Sequence, residues 1–461
     1  MCYNTTMIAH LFYRYANPKT QGNRHRRIYA VGCRLLYRVF FLCLGVISCQ
    51  SGDTPLLPLA TPTPLVGDAS QLVNEQTTSS EGESGVIVNH DRQLVVWTPE
   101  FFQPRELSSI PVLENVYEEF RRNHPTVHLD LQTKAETGES SLFTYLRYAQ
   151  RIAPAILPDV VLLNTEQLWQ AAELGLIQPI SWDQITHNTD FFQFARTAVN
   201  YQGQTIGVPY AADILHLVYH TEQIKQAPTT WQEVIASGST YIMAAGKRDY
   251  PNESLLLQYV GAGGQLSEDG TVSNPDALTA LFTLMAQAKA AGVLSDGLLD
   301  LESFDESWST FLANEASFAD TSARLVLTQR EVSDNLGFSQ IPTINGTSIT
   351  LAQTWAFAII TPDPEQQQLA LEFIEQLLEP AVHSAWSRTT LQLPTQITAY
   401  AAWLDASPYA EFLQRQLDVA VTIPNGRPFA DFARRLQQAQ ESVLLNQLTI
   451  EDAVQFVQTA P

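Results

Sequence analysis

Beyond Cys49 the chain has no cysteine at all, its four being Cys2, Cys33, Cys43 and Cys49. This excludes a disulfide framework, a zinc–thiolate cluster and a thiol nucleophile from most of the protein. Basic charge is scarce as well. Seven of the 26 basic residues and none of the 48 acidic ones precede Cys49, so the remainder sets 19 basic residues against 48 acidic ones, a formal charge of −29. Such a surface repels nucleic acid and anionic headgroups and keeps an exported protein soluble. There is no HExxH, no Gly-x-Ser-x-Gly elbow and no phosphate loop, so the usual signatures of a metalloprotease, a serine hydrolase and a nucleotide enzyme are missing. No cofactor and no metal is implied. The apolar run near the N-terminus, Val39-Phe-Phe-Leu-Cys-Leu-Gly-Val-Ile47, is far shorter than the roughly 20 residues that cross a bilayer.

What is present there is an address. Arg24, Arg26, Arg27, Arg34 and Arg38 lead into the apolar run, which ends in Val46-Ile47-Ser48-Cys49. Charged segment, short apolar core and small residue make a signal peptide. The last four residues resemble the lipobox of bacterial lipoproteins, in which the cysteine is acylated before cleavage. Residues 1–48 are therefore expected to be the signal peptide and Cys49 the lipidated residue. Residues 49–91 follow as a tether, rich in Pro, Thr, Ser and Gly and too poor in apolar surface to fold.

From residue 94 the hydrophobic period switches between 2 and 3.6. Leu94 to Trp97 is strand-like, and Leu113, Val116, Tyr117 and Phe120 mark one face of a helix that Pro125 ends. Val127, Leu129 and Leu131 alternate as a strand, and Val160 to Leu163 is an apolar run suited to a buried parallel strand. Asn274-Pro275, Asp363-Pro364 and Ser407-Pro408 are helix starts, and Thr230 to Glu233 is a capping box. Strand, helix, strand order predicts an α/β sheet. With 45% hydrophobic residues in 461, the chain can bury two cores.

Several segments in order resemble the extracellular solute-binding proteins of carbohydrate importers, the maltodextrin-binding type. They include Leu94-Val-Val-Trp-Thr98, Glu114 to Phe120, Pro158-Asp-Val-Val-Leu162, Gly203 to Tyr210 running to Tyr219, Pro228 to Glu233, Gly261 to Gly264, Phe311 to Phe318 and Leu391 to Thr395. The resemblance covers about residues 92–459. It implies a two-lobed, periplasmic-binding-protein-like α/β fold with hinge crossings and a ligand cleft between the lobes. The crossings fall by position at Tyr210-Ala211 and Ile341-Pro342. That puts 92–210 and 342–380 in lobe 1, and 211–341 and 381–461 in lobe 2. It also implies a monomer that captures a neutral mono- or oligosaccharide and delivers it to the permease of an ABC importer outside the cytoplasmic membrane. The chain departs from the family in having Tyr219-His220 and Asp320 to Arg324 where Tyr-Asn and a Gly-Pro-Trp-like segment are usual.

A sugar offers apolar C–H faces and a rim of hydroxyls, so its site needs flat aromatic groups and planar polar ones. Positions matching the family give Trp97, Thr98, Glu100, Asn164, Tyr210, Asp213, Trp308, Arg324 and Trp355 as candidates. Trp355 is the sharpest of them, expected to be a stacking platform at the mouth of the apolar run Ala356 to Ile360. Core packing is the alternative for each aromatic, and Trp231, Trp386 and Trp403 are read as structural. His216 and His220 share a strand face without a third ligand nearby, and Gly261 to Gly264 is read as a turn. Two rival functions remain: a secreted polysaccharide hydrolase with a carboxylate pair, and a surface sensor or adhesin.

Overall fold

The computed structural model describes residues 92–103, 110–186, 188–246, 252–329, 335–404 and 407–459. The expected signal peptide, the expected lipidation site at Cys49 and the expected tether lie outside these residues.

Twelve strands are found among the described residues. They are β1 (Arg92–Pro99), β2 (Val127–Lys134), β3 (Val160–Asn164), β4 (Asn200–Tyr201), β5 (Gln204–Thr205), β6 (Val208–His220), β7 (Tyr241–Ile242), β8 (Phe318–Ser322), β9 (Leu336–Ser339), β10 (Thr350–Ile359), β11 (Leu393–Pro394) and β12 (Ala420–Thr422). All but the β4–β5 hairpin join one mixed sheet whose main path runs β2-β1-β3-β10-β6-β8-β7. β1 is parallel to both β2 and β3, whereas β10 is antiparallel to β3 and to β6.

The first half of the sheet is buried on both sides, and period 2 sorts its residues. Val160 and Leu162 of β3, with Phe357 and Ile359 of β10, enter one core beside Leu94, Phe102, Phe120 and Trp386. Their neighbours Val161, Leu163, Ala356 and Ala358 enter the opposite one beside Trp97, Leu146 and Trp169. The predicted helix Ile110–Asn123 supplies Leu113, Val116 and Phe120 to the first of these. The second lobe has its own core, which runs from Leu215 through Trp231, Tyr241, Phe282 and Phe318 to Ile341, and closes with Phe429 and Leu436 near the C-terminus.

β6 and β10 connect the lobes. On β6, Tyr210 and Ala211 belong to the first lobe's core and Leu215 to the second's. On β10, Leu351 packs in the second core and Trp355 in the first. The expected second crossing at Ile341-Pro342 therefore moves into β10, because Ile341 and Leu351 are both still held by second-lobe side chains. The assignment of 381–461 to lobe 2 is corrected too: Trp386 packs against Phe102 at 5.1 Å in the first lobe. Val421 and Ile423, then the helices Arg427–Leu444 and Ile450–Gln458, return to the second core. A fourth cluster, built from Phe192, Ile214, Ala352, Leu393, Tyr400 and Trp403, lies where the two strands pass from one core to the other.

Local signals act as the sequence predicts. The Thr230–Glu233 capping box forms, and Trp231 is buried with its Nε1 donating to Gln258 Oε1 at 2.8 Å. Gly261 ends a helix and Gly263 turns the chain with φ 94°. His216 and His220 go separate ways: His216 Nε2 meets the Tyr409 hydroxyl at 2.8 Å, and His220 stacks on Phe311 at 4.2 Å.

One acid sits inside the second core. Asp320 on β8 is fully buried and accepts a hydrogen bond from the Tyr241 phenol. Loss of solvent pushes its carboxyl up to about 7, although Tyr241 and Ser254 pull the other way. The folded state therefore holds a proton that the unfolded chain releases near pH 4, and the contribution of Asp320 to stability falls as pH rises from about 4 to about 7, while buried His216, pushed down to about 4, acts in the opposite direction. We expect Asp320→Asn to remove the Asp320 contribution alone. Melting temperatures of wild type and variant across that window should converge at low pH and diverge toward neutrality, with the variant higher.

Candidate ligand cleft

Where β3, β6 and β10 end or cross, helices from both lobes leave a cleft of about 430 Å³. The first lobe contributes the segment after β2, with Glu136 and Thr137, and the turn from β3 into the helix Thr165–Glu173. Asn164 ends β3 and caps that helix, its Oδ1 accepting from Gln167 N at 2.9 Å. Side-chain capping satisfies a backbone donor that the helix itself leaves unpaired. Glu166 follows in the first turn, and desolvation by the surrounding walls raises its carboxyl above the usual range against the pull of the Gln170 amide.

The second lobe contributes β8 and the helix Ala323–Thr328. Ser322 caps that helix through Leu325 N at 3.3 Å, which projects Arg324 from its first turn. Asp213 of β6 faces it from the crossing. Its Oδ1 accepts from Ile214 N at 2.9 Å and from Arg324 N at 3.0 Å. Burial raises the Asp213 carboxyl, while the Arg324 backbone N–H, the Ser322 hydroxyl and the guanidinium oppose it. Arg324 Nη1 also reaches across to Glu136 Oε2 of the first lobe at 3.7 Å, both side chains about one-third exposed. An ion pair this exposed is worth at most about 1 kcal/mol, so it ties the lobes without locking them.

Four of the nine sequence-derived candidates line the cleft: Asn164, Asp213, Arg324 and Trp355. The other five do not. Trp97 is buried in the first lobe with Lys134 Nζ 4.8 Å above its ring, and Thr98 beside it is fully buried. Glu100 is exposed at the start of a short 3-10 turn. Tyr210 lies flat on His383 at 4.5 Å inside the first core, and Trp308 stacks on Phe311 at 5.7 Å inside the second. Apolar demand claims these rings: Trp97 and Tyr210 stand on strands with a core on either side, and Trp308 lies on the buried face of the helix Phe304–Leu312.

Trp355 holds both positions. It lines the cleft yet is only 3% exposed, and packs edge-on against Phe101 at 5.1 Å. The open stacking platform expected from the sequence is thus mostly a core residue that shows one edge. Missing from the sequence reading were Glu136, Glu166, Gln353, Glu253, Asp305 and Asn425, all on the cleft wall. Gln353 is exposed on β10, where every other residue is buried. Glu253 and Asp305 stand in first helical turns behind the caps Asn252 and Ser303. Those caps were the readable signal, but nothing local says which way a helix start faces.

Comparison with known proteins adds a family to this geometry. The sequence profile described as bacterial extracellular solute-binding protein matches residues 144–411. A maltotriose-binding protein of Pyrococcus abyssi is 26% identical over 144 residues, 31% of this chain and 29% of that protein. A lactose-binding protein of Rhizobium radiobacter is 25% identical over 242 residues, 45% of this chain and 53% of that protein. The chain thus spans about half or less of the length of these relatives. Among solved structures, a cyclic alpha-maltosyl-1,6-maltose binding protein from Arthrobacter globiformis superposes with a TM-score of 0.66 at 17% identity, over 79% of this chain and 97% of that one. At that identity the likeness is one of fold, and the fold is the two-lobed binding-protein architecture.

The burial of Trp355 yields a measurable outcome. Trp355→Ala should lower the stability of the ligand-free protein by about 3–5 kcal/mol, as for a large core side chain cut to alanine. Urea denaturation of both proteins checks it, and an unchanged midpoint would return Trp355 to a purely ligand-facing role.

Proposed function

Because the chain belongs to the bacterial extracellular solute-binding proteins, we propose that it captures a carbohydrate in the cleft between its lobes and passes it to the membrane permease of an ABC importer. The cleft at the β6–β10 crossing carries this reading. Its volume of about 430 Å³ falls in the range of small-molecule sites, and polar side chains from both lobes line it. The relatives named for maltotriose and lactose support a sugar. The role is that of a monomeric binder and not of an enzyme, since those relatives are named for what they bind.

Binding across two lobes gives the ligand a means of control. A solute that touches both walls favours the closed arrangement by its differential affinity, and the permease then reads closure. The hinge is β6 with β10, whose shared ladder passes from one core to the other. Lipid attached at Cys49, followed by the 50–91 tether, holds the protein at the outer face of the cytoplasmic membrane. Among the described residues no helix is long and apolar enough to cross a membrane.

Two measurements test these statements. In a thermal-shift screen of sugars, polyols, amino acids, polyamines and phosphate esters, carbohydrates should give the clear response. At a concentration 100 times the dissociation constant, stabilisation of about 2.7 kcal/mol is expected, and silence from every carbohydrate beside a response from another class would reject the assignment. For the anchor, the chain expressed in a bacterial host should carry a lipid mass that Cys49→Ala abolishes. A wild-type protein recovered without lipid would refute it.

A further inference from the structure

Far from the cleft, the first lobe shows water an apolar face. Tyr148, Ile152 and Ile156 are 56%, 80% and 60% exposed, the three highest values among the large hydrophobic side chains of the described residues. The helix Leu142–Ile152 turns Leu142, Phe143, Leu146 and Ala149 into the first lobe. Tyr145, Tyr148 and Ile152, three and four residues apart, share its outward side. Gln150 Nε2 donates to Leu174 O at 3.3 Å, which brings exposed Leu174 up beside them. Single exposed apolar residues are ordinary, whereas a group of this kind marks a contact surface.

Charge and position say what covers it. Arg147 and Arg151 are exposed on the same helix, neither takes part in an ion pair among the described residues, and no acid occurs from Ser140 to Pro158. Glu173, beside Leu174, is an acid at the margin. On a body with 19 basic residues against 48 acidic ones beyond Cys49, this is a cationic exception. β1, β2 and β3 are parallel, so the crossover helix carries Ile152 and Ile156 back to the strand starts, the end opposite Asn164 and the cleft. Gln178 N donates to Ile359 O, and Ile359 pairs with Val160, which puts the turn after Leu174 at that end as well. Arg92, the first described residue, opens β1 there too. The 42 residues 50–91 join it to Cys49, at most about 150 Å of chain.

On the reading that Cys49 carries lipid, we propose that this end of the first lobe is a membrane-contact surface, which seats on the anionic phospholipid headgroups of the bilayer that holds the lipid. Tyrosine and isoleucine enter the headgroup boundary while the arginines meet the phosphates. The rest of the body is acidic and is repelled by the same surface. At physiological salt that repulsion fades beyond about 8 Å, so contact forms through this face and fixes an orientation. A second copy meeting the face with its own would set four arginines against one another, as a two-fold contact repeats each patch. Because the cleft lies at the other end, a seated protein keeps it turned toward solvent, open for capture.

The test exploits the absence of cysteine beyond Cys49. In the processed, lipidated chain, Ile156→Cys gives a single site for a fluorescent label, and Leu445→Cys, 45% exposed in the wild type after the second-lobe helix Arg427–Leu444, gives a control. Each protein is placed in vesicles that carry nitroxide lipids, made of phosphatidylcholine alone or with about 30% phosphatidylglycerol, after its lipid mass is confirmed. On the anionic vesicles lipid quenching at 156 should exceed that at 445 by about twofold or more. It should fall on neutral vesicles, and at about 0.5 M salt, where the headgroup charge is screened. Arg147→Glu with Arg151→Glu should lower it as well, and both side chains are exposed, so the core is left alone. Equal quenching at the two sites, or quenching at 156 that ignores lipid charge and the arginines, overturns the inference and leaves the lipid anchor intact. A label at 156 shielded from lipid in proportion to protein density places a second copy on the face and overturns it too. A chain without lipid mass overturns the anchor reading and this inference with it.

Discussion

From Val208 to Ile214, β6 lies antiparallel to β10, and the same two strands carry the chain between cores. β6 continues past that ladder to pair with β8 and β9 as far as His220. Its 13 residues span about 43 Å at a strand's rise, enough to belong to two lobes in turn. Each lobe is held by its own apolar interior, whereas the passage between them is held by this ladder and the small cluster around Tyr400 and Ala352. The ladder is irregular at the passage: Trp355 pairs with Ala211 and Ala356 with Pro209, so Tyr210 is left over as a bulge. Bulges bend and twist strands, which turns the two lobes about the point where the cleft opens.

The polar residues of the cleft depend on the same arrangement. Asp213 lies on β6 just past the bulge, opposite Gln353 of β10. It holds Arg324 from the second lobe by a backbone hydrogen bond, and Arg324 reaches Glu136 in the first. A chain of one part-buried acid, one cation and one acid about one-third exposed therefore runs across the cleft. Because its outer pair is partly solvated, little energy opposes its rearrangement when a ligand arrives. The part-buried inner contact holds Arg324 in place.

Acids at helix starts are ordinary, and each has a local justification in the dipole and the cap. Their meeting is what gives the cleft its character. Helices beginning at Thr165, Glu253, Phe304 and Ala323 come from distant parts of the chain, and the two lobes aim their first turns at one volume. Features that stabilise four helices separately thus meet at one cleft.

How much of this was legible follows from the range over which each signal acts. The cysteine-free body, the acidic excess, the strands at Leu94 and Val160, the helix face of Leu113, Val116 and Phe120 and the capping box at Thr230 all depend on composition or on residues within a turn of one another. Ordered matches along the chain further carried the two-lobed fold. Four cleft residues, Asn164, Asp213, Arg324 and Trp355, came from position alone. Tertiary structure decided the rest. Strands buried on both faces give no hint of which apolar side chain borders a cleft, so Trp97 and Tyr210 went to cores, as Trp308 did from the buried face of the helix Phe304–Leu312. The second crossing moved into β10 because Ile341 and Leu351 pack in a core gathered from Leu215 to Val457, which neither local pattern nor turn chemistry reveals. Glu166, Glu253 and Asp305 read as helix-start acids in sequence, and only the packing of their helices, fixed by long-range burial, makes them walls of one site.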